Sequence, residues 1–264
     1  MREKFKFKKE LKMPLSVFSK ENFKKHLYDL GLVKGDNIIL HSRLVSFGLV
    51  PGGPESFYEA LLEVIGESAL IVVPTYTFQL TGADVYDPQT TSSDNMGVVS
   101  EYIRQLPYAV RSACPIHNHT CVGLKAHEIS LLEGDVSFGP KSDFDWMSNY
   151  DFKLVLLGCG FDIAGTQVFH NMTFFDVPYR RWIKIPRKRR SLDGTVSEIS
   201  VNYFARDPGF QEDISRPLDL LSERKQINII SAPSGFSYAM SLDNFRSTCF
   251  DLMDECPSVF LRNS

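Results

Sequence analysis

Cysteine is sparse in this chain, and its spacing organises nothing. Cys114, Cys121, Cys159, Cys249 and Cys256 are odd in number and include no CxxC pair, which excludes a disulfide framework and leaves no zinc-ligand pattern. No HExxH helix or carboxylate–histidine ligand spacing occurs, so no metal is expected. Long apolar runs are missing, and no segment reaches the length of a membrane span. An excess of basic charge is missing too. The 29 Lys and Arg against 32 Asp and Glu give a net charge of −3, which argues against a protein built for nonspecific nucleic-acid binding. The opening MREKFKFKKELKM is basic but has no apolar region behind it, so it is not a secretory signal and a cytoplasmic location is expected. Its alternating Lys-Phe pattern suits either an edge strand or a loose arm. Repeats and low-complexity segments are absent.

What is present is an ordinary globular composition, 43% hydrophobic and 23% charged over 264 residues, long enough for one domain with a sizeable core. Strand and helix patterns alternate. Ser19–Leu30 reads as a helix capped by Ser19, with Phe23, His26, Leu27 and Leu30 on one stripe. His26 is thereby a face residue rather than a catalytic one. Asn37–Leu40, Ala69–Val73 and Lys153–Leu157 read as buried strands. Helices are expected after Gly52-Gly53-Pro54, around Met96, Val99 and Ile103, from about Thr166 through His170, and over Leu242–Glu255. Residues 80–94 are polar and turn-rich. From Pro178 the chain becomes basic and strand-like, with a turn at Asp193-Gly194. The expected fold is α/β: a mixed central sheet with helices on its faces, plus an added β-hairpin or small sheet. One domain spans 1–264, with a core at 31–180, a basic β insertion at 181–210 and a C-terminal part at 211–264.

The segment from Leu30 to Gly66 runs strand, polar turn, glycine pair, helix. A glycine turn at a helix N-terminus exposes unpaired N–H groups and the positive end of the helix dipole, which suits a phosphate or pyrophosphate. It equally suits a plain strand-to-helix connection. Five polar clusters follow strands or lie in the loops between elements: His41-Ser42-Arg43, Thr75-Tyr76-Thr77, Tyr86-Asp87-Pro88, Arg111-Ser112 with His117-Asn118-His119, and Thr166 with His170. In open α/β sheets such strand ends form the ligand crevice. Cys114 reads as a thiol nucleophile beside histidines or as a buried structural cysteine. His170 reads as a general base or as a helix histidine bonded to a neighbour. The run Arg187–Arg190 reads as a solvated hairpin or as a contact for ligand phosphates.

Taken together and in order, these segments resemble the aminoglycoside 3-N-acetyltransferase, or antibiotic N-acetyltransferase, family. LGLVKGDNIILHSRLVSFG resembles its LGV-x-x-GD-x-x-x-HSSLSSLG, and GGPESFYEALLEVIG resembles its GGP helix. VVPTYT resembles MPTHT, and YDPQTTSSDNMG resembles YDP-x-x-TP-x-x-x-MG. RSACPIHNHTCVG resembles RS-x-HP-x-HS-x-x-x-G, FGPKSDFDWM resembles FG-x-x-SPL-x-x-L, and LLGCGFDIAGTQVFHNMTF resembles LLGVGHDRNTSLHLAE. The resemblance implies direct acyl transfer from acyl-coenzyme A to the amine of an amino sugar. It implies a donor site at Ser42, Arg43, Leu44, Gly52, Gly53, Thr75, Arg111 and Ser112. It implies His170 as general base, with His117 or backbone N–H groups facing the oxyanion. The family's His-x-x-Glu is His170-x-x-Thr173 here, so Asp87 or Asp176 is the expected substitute carboxylate. Tyr76, Thr166, Arg180 and Arg187 are expected on the acceptor. The basic flank and the Val177–Arg180 turn point to a dTDP-linked amino-deoxy sugar receiving an acetyl or 3-hydroxybutanoyl group, as in surface-polysaccharide biosynthesis. The alternatives are an aminoglycoside 3-N-acetyltransferase conferring antibiotic resistance and a non-catalytic coenzyme A- or nucleotide-binding relative. The oligomeric state stays open, a homodimer included.

Overall fold

The computed structural model describes residues 17–262; the N-terminal Lys-Phe segment lies outside them. The sheet is built around β1 (Asn37–Ser42), whose neighbours β2 (Ile71–Pro74) and β6 (Phe152–Leu157) both run parallel to it. These central strands read as near-continuous apolar runs because both their faces are covered. Ile38 and Leu40 pack with Phe23, Leu27 and Leu61 on one face, while Ile39 packs with Leu154, Val168 and Phe245 on the other.

On the first face lie α1 (Lys20–Asp29) and α2 (Gly53–Ile65). Ser19 caps α1 as expected, its Oγ accepting from Asn22 N–H at 3.2 Å. His26 is buried, with Nε2 2.8 Å from Ser237 Oγ, which fits its reading as a face residue. The second face carries α4 (Asp143–Met147), α5 (Gly165–Met172) and α7 (Leu242–Glu255). Antiparallel pairs complete the sheet: β4 (Val110–Arg111) and β5 (His119–Val122) beyond β2, β10 (Phe236–Ser241) and β9 (Ile227–Ser231) beyond β6. The order is β4-β5-β2-β1-β6-β10-β9.

The basic segment folds as two eleven-residue antiparallel strands, β7 (Arg180–Arg190) and β8 (Val196–Arg206). Gly194 sits at φ 87° in their turn, and Asp193 Oδ1 accepts from Thr195 N–H at 2.9 Å. The 80–94 stretch, expected as loop, contributes β3 (Val85–Tyr86), which adds to β7 in parallel. The other α-helices among the described residues are the short α3 (Val98–Arg104) and α6 (Pro217–Glu223). No helix among the described residues is long and apolar enough to cross a membrane.

Candidate active site

The chain passes from β1 to β2 on one side and later to β6 on the other, so the strand order reverses at β1. Ligand crevices in open α/β sheets form at such a reversal, outside the carboxyl ends of the strands. A cleft of about 530 Å³ opens there. The end of β1 and the turn after it supply His41, Ser42, Arg43, Leu44 and Val45; the end of β2 supplies Pro74, Tyr76 and Phe78; Cys159 follows β6. Ile163, in the 3-10 turn before α5, and Thr166, in the first turn of α5, close one side, and residues 95–98 close it from the start of α3. Gly97, at φ 97°, allows that closure: a Cβ there would lie 3.3 Å from the Ser42 carbonyl oxygen.

The wall is mostly apolar. Among the described residues, Arg43 is the one charged residue of the wall, exposed and without an ion pair, and no carboxylate lines the cleft. Burial and the neighbouring His119 push His41 down to about 3, so it is neutral at pH 7. Burial pushes the Cys159 thiol up to about 12, which removes it as a nucleophile at neutral pH. Burial does the same to Cys114.

Beneath the cleft lies a buried polar layer. The pairing of Pro74 with His119 sets β5 beside β2, and the rings of Tyr76 and His119 meet edge-on at 5.2 Å. Tyr76 Oη lies 3.2 Å from His119 Nε2 and 3.3 Å from Thr166 Oγ1. His119 Nδ1 lies 2.9 Å from Asp143 Oδ2, and the same oxygen accepts from His119 N–H at 3.1 Å and from Ser112 Oγ at 2.5 Å. A buried carboxylate is tolerated only when paired and hydrogen-bonded in this way. Ser142 caps α4, which puts Asp143 at the first position of that helix.

Of the residues expected from the sequence, the structure brings Ser42, Arg43, Leu44, Tyr76 and Thr166 together on the cleft wall. Others have different work. Arg111, expected at the donor, is buried beneath the floor: its Nε donates to Asn118 Oδ1 at 2.8 Å and to Thr75 Oγ1 at 3.2 Å, and its other nitrogens donate to the Thr91 and Thr75 carbonyls. Thr75 is fully buried in that network, and Ser112 is committed to Asp143. Gly52 and Gly53 do open α2 at φ 78° and 58°, but off the cleft wall. Gly53 N–H donates to the Val50 carbonyl, Pro54 has no N–H, and Glu55 adds a carboxylate to the first turn, which disfavours an anion there.

Asp87 does not face His170. It accepts from Gln89 N–H at 2.9 Å and pairs with Arg190 at 3.4 Å. Asp176 is exposed. Arg180, expected on the acceptor, is buried with Glu212 at 2.7 Å and stacks 3.9 Å over the Phe169 ring. Arg187 lines a separate depression with Gly82 and Glu198, and Arg189 and Arg190 line another. The basic run therefore does not share the cleft, and the physical argument for a nucleotide-linked acceptor falls with that placement. His117 sits among Tyr76, Phe78, Phe138 and Tyr203 rings, its Nδ1 unpartnered among the described residues. His170 lies one turn beyond Thr166 on the same face of α5. Its Nδ1 accepts from Gly139 N–H at 3.1 Å, its Nε2 has no partner among the described residues, and burial pushes it down to about 3. It is not part of the cleft wall.

A family model described as aminoglycoside 3-N-acetyltransferase matches residues 39–204, which spans the cleft, the buried layer and most of the hairpin. The chain belongs to that family. Among its curated relatives, aminoglycoside N(3)-acetyltransferase VII of Streptomyces paromomycinus is 31% identical over 58% of this chain and 60% of the relative. Aminoglycoside N(3)-acetyltransferase IX of Micromonospora chalcea is 28% identical over 62% of this chain and 65% of the relative. The matched stretch thus spans less than two thirds of either relative. A solved structure of AAC-IIIb with CoASH superposes at a TM-score of 0.81 with 19% identity, covering 94% of this chain and 100% of that one. A structure of AAC-VIa bound to sisomicin gives 0.79 at 18% identity, covering 91% and 98%. These likenesses establish the family's fold for this chain.

His41, His119 and Asp143 were not singled out as site residues by the sequence. His41 and His119 appeared only within polar clusters, and Asp143 in none. His119 and Asp143 come from β5 and α4, and no local spacing connects them. The available signal was a departure from the motif: Asp143 stands where the family pattern SPL has proline.

Proposed function

We propose that this protein is an acyl-coenzyme A-dependent N-acyltransferase that acts on the amine of an amino sugar. The observation that carries the reading is the cleft at the strand-order reversal, in a chain whose family model spans it. Its apolar wall suits a pantetheine arm and a short acyl chain. Arg43 at its edge suits the anionic groups of the donor. A CoASH-bound structure of the same fold supports the choice of donor. Transfer is direct, since the one thiol on the wall, Cys159, is held protonated by burial.

The relatives are named for aminoglycosides, and that class is the acceptor favoured over the dTDP-linked sugar. One observation favours a second reading within the amino sugars. A polycation binds best against carboxylates, and among the described residues none lines the cleft. An acceptor with a single amine fits that wall as well as an aminoglycoside does.

The test is a thiol-release assay with acetyl-CoA and longer acyl-CoAs against aminoglycosides, monoamino sugars and nucleotide-linked amino sugars. Thiol release that depends on a free amino sugar or an aminoglycoside is expected. Release with no amine in the panel refutes the reading, and release with nucleotide-linked sugars alone restores the acceptor set aside above.

A further inference from the structure

His170 is the histidine that the resemblance implies as general base, and neither carboxylate expected to orient it does so. Asp87 is committed to Gln89 and Arg190, and Asp176 is exposed. What holds the ring is an amide. Gly139 N–H donates to His170 Nδ1 at 3.1 Å, and the Phe144 and Phe174 rings pack against the imidazole at 5.8 and 5.4 Å. The turn that carries this amide is pinned on both sides. Ser137 N–H donates to the Asn202 carbonyl of β8 at 2.9 Å, and Ser142 Oγ donates to the Gly139 carbonyl at 2.6 Å. Thr173 makes room for the approach, its hydroxyl turned back onto the His170 carbonyl at 2.7 Å. Gly139, at φ 79°, comes so near that a Cβ on it would lie 3.0 Å from Thr173 Oγ1 and 3.4 Å from Thr173 Cβ. Thr173 stands where the family pattern has glutamate, so a carboxylate carried at 173 would compete with the Gly139 amide for the same nitrogen.

The direction of that hydrogen bond decides where the proton sits. An N–H donates only to a lone pair, so Nδ1 is bare and the neutral ring carries its proton on Nε2. A base acting through Nε2 needs the reverse: a lone pair on Nε2 and the proton on Nδ1, where it would point at the Gly139 N–H. The imidazolium meets the same opposition, because a hydrogen bond to the neutral form disfavours the charged one. Burial and the Arg246 cation of α7 act in the same direction and push His170 down to about 3. We propose that Gly139 is a positioning residue that takes the place of the missing carboxylate at His170, and that it holds the ring as the Nε2–H tautomer, one proton shift away from the form that acts as base. The proposal rests on the N-acyltransferase reading above, with His170 as its base. The chain keeps the histidine and holds it in reserve: each time His170 accepts a proton, the Gly139 contact has to give way. Glutamate at 173 would favour the opposite tautomer, so a substitution beside the base makes this enzyme faster.

The test reads tautomer and rate together in wild type, Thr173→Glu and Thr173→Val. In protein labelled with nitrogen-15 histidine, long-range proton–nitrogen spectra near neutral pH separate the protonated from the bare ring nitrogen, and the signals missing from His170→Asn assign the residue. Wild type is expected to show His170 protonated on Nε2 and bare on Nδ1. Thr173→Glu is expected to move that proton to Nδ1 and to raise kcat by about tenfold or more, with acetyl-CoA and an amine the wild type accepts, since the wrong tautomer costs a histidine base up to about 10⁴ in kcat. KM for both substrates is expected to stay within about threefold. Thr173→Val removes the hydroxyl without supplying a carboxylate, and is expected to keep the wild-type tautomer and a kcat within about threefold. A wild-type ring protonated on Nδ1 overturns the proposal. So does a folded Thr173→Glu that leaves tautomer or kcat as in wild type, or a Thr173→Val that speeds the enzyme as much as Thr173→Glu. If Thr173→Glu fails to fold, the wild-type tautomer decides. A wild type inert toward every amine removes the N-acyltransferase reading, while the tautomer of His170 is read without any turnover, so the two failures are told apart.

Discussion

At the scale of single residues, two arginines of one sequence show how placement decides use. Arg43 is exposed on the cleft wall with no ion-pair partner among the described residues. Arg43→Ala is expected to raise KM for acyl-CoA several-fold and to flatten its salt dependence, with little change in kcat; steady-state rates at two ionic strengths check this. Arg180 sits at 5% side-chain exposure against Glu212 at 4%. Removing one partner strands a buried charge, so Arg180→Ala is expected to destabilise the fold by about 3–5 kcal/mol, read from urea unfolding. The residues that follow strand ends, Ser42, Arg43, Tyr76 and Thr166, were legible because a strand's carboxyl end fixes where the next side chains point. His119 and Asp143 were not, because 24 positions separate them and only the pairing of β2 with β5 and the cap of α4 bring them together. Arg111 was misassigned for a related reason: nothing local distinguishes a guanidinium that binds an anion from one that ties a Thr-Asn layer to a loop carbonyl.

At the scale of elements, periodicity served well where an element has a capped, one-sided pattern. The helix behind Ser19, the helix between Gly52 and Gly66 and the strand beginning at Asn37 all form near the expected bounds. It failed for β3 and β4, two residues each, which exist only because a longer partner strand recruits them. The hairpin was legible as a hairpin, but its orientation was not. Strand alternation divides side chains between two faces without saying which face meets the cleft. Its basic run now has neighbours of its own, Arg189 with the Ala113 and Glu133 carbonyls and Arg190 with Asp87. Replacing Arg187 and Lys188 together by Gln is accordingly expected to leave acceptor KM within about twofold, measured on whichever acceptor the panel identifies.

At the scale of the whole molecule, buried neutral histidines couple stability to pH. Burial holds His41 and His170 at about 3, below the ~6.5 of the unfolded chain. Below pH 6.5 the unfolded state binds more protons, so the contribution is fully present above that value and is lost as pH falls toward 3. Between pH 7 and 5 each is expected to remove about 2 kcal/mol of stability; urea midpoints at the two pH values test this, and His170→Phe is expected to shrink the difference. The topology has a kinetic corollary. Asn37 pairs with Phe152 across more than a hundred residues, and the cleft is walled by strand ends and helix starts drawn from both sides of that closure. Long-range parallel pairing is slow to form, so the cleft is among the last features a refolding chain acquires. Coenzyme A binding should therefore return after the helical signal in a refolding experiment, which would make ligand capture a clock for the final closure of the chain.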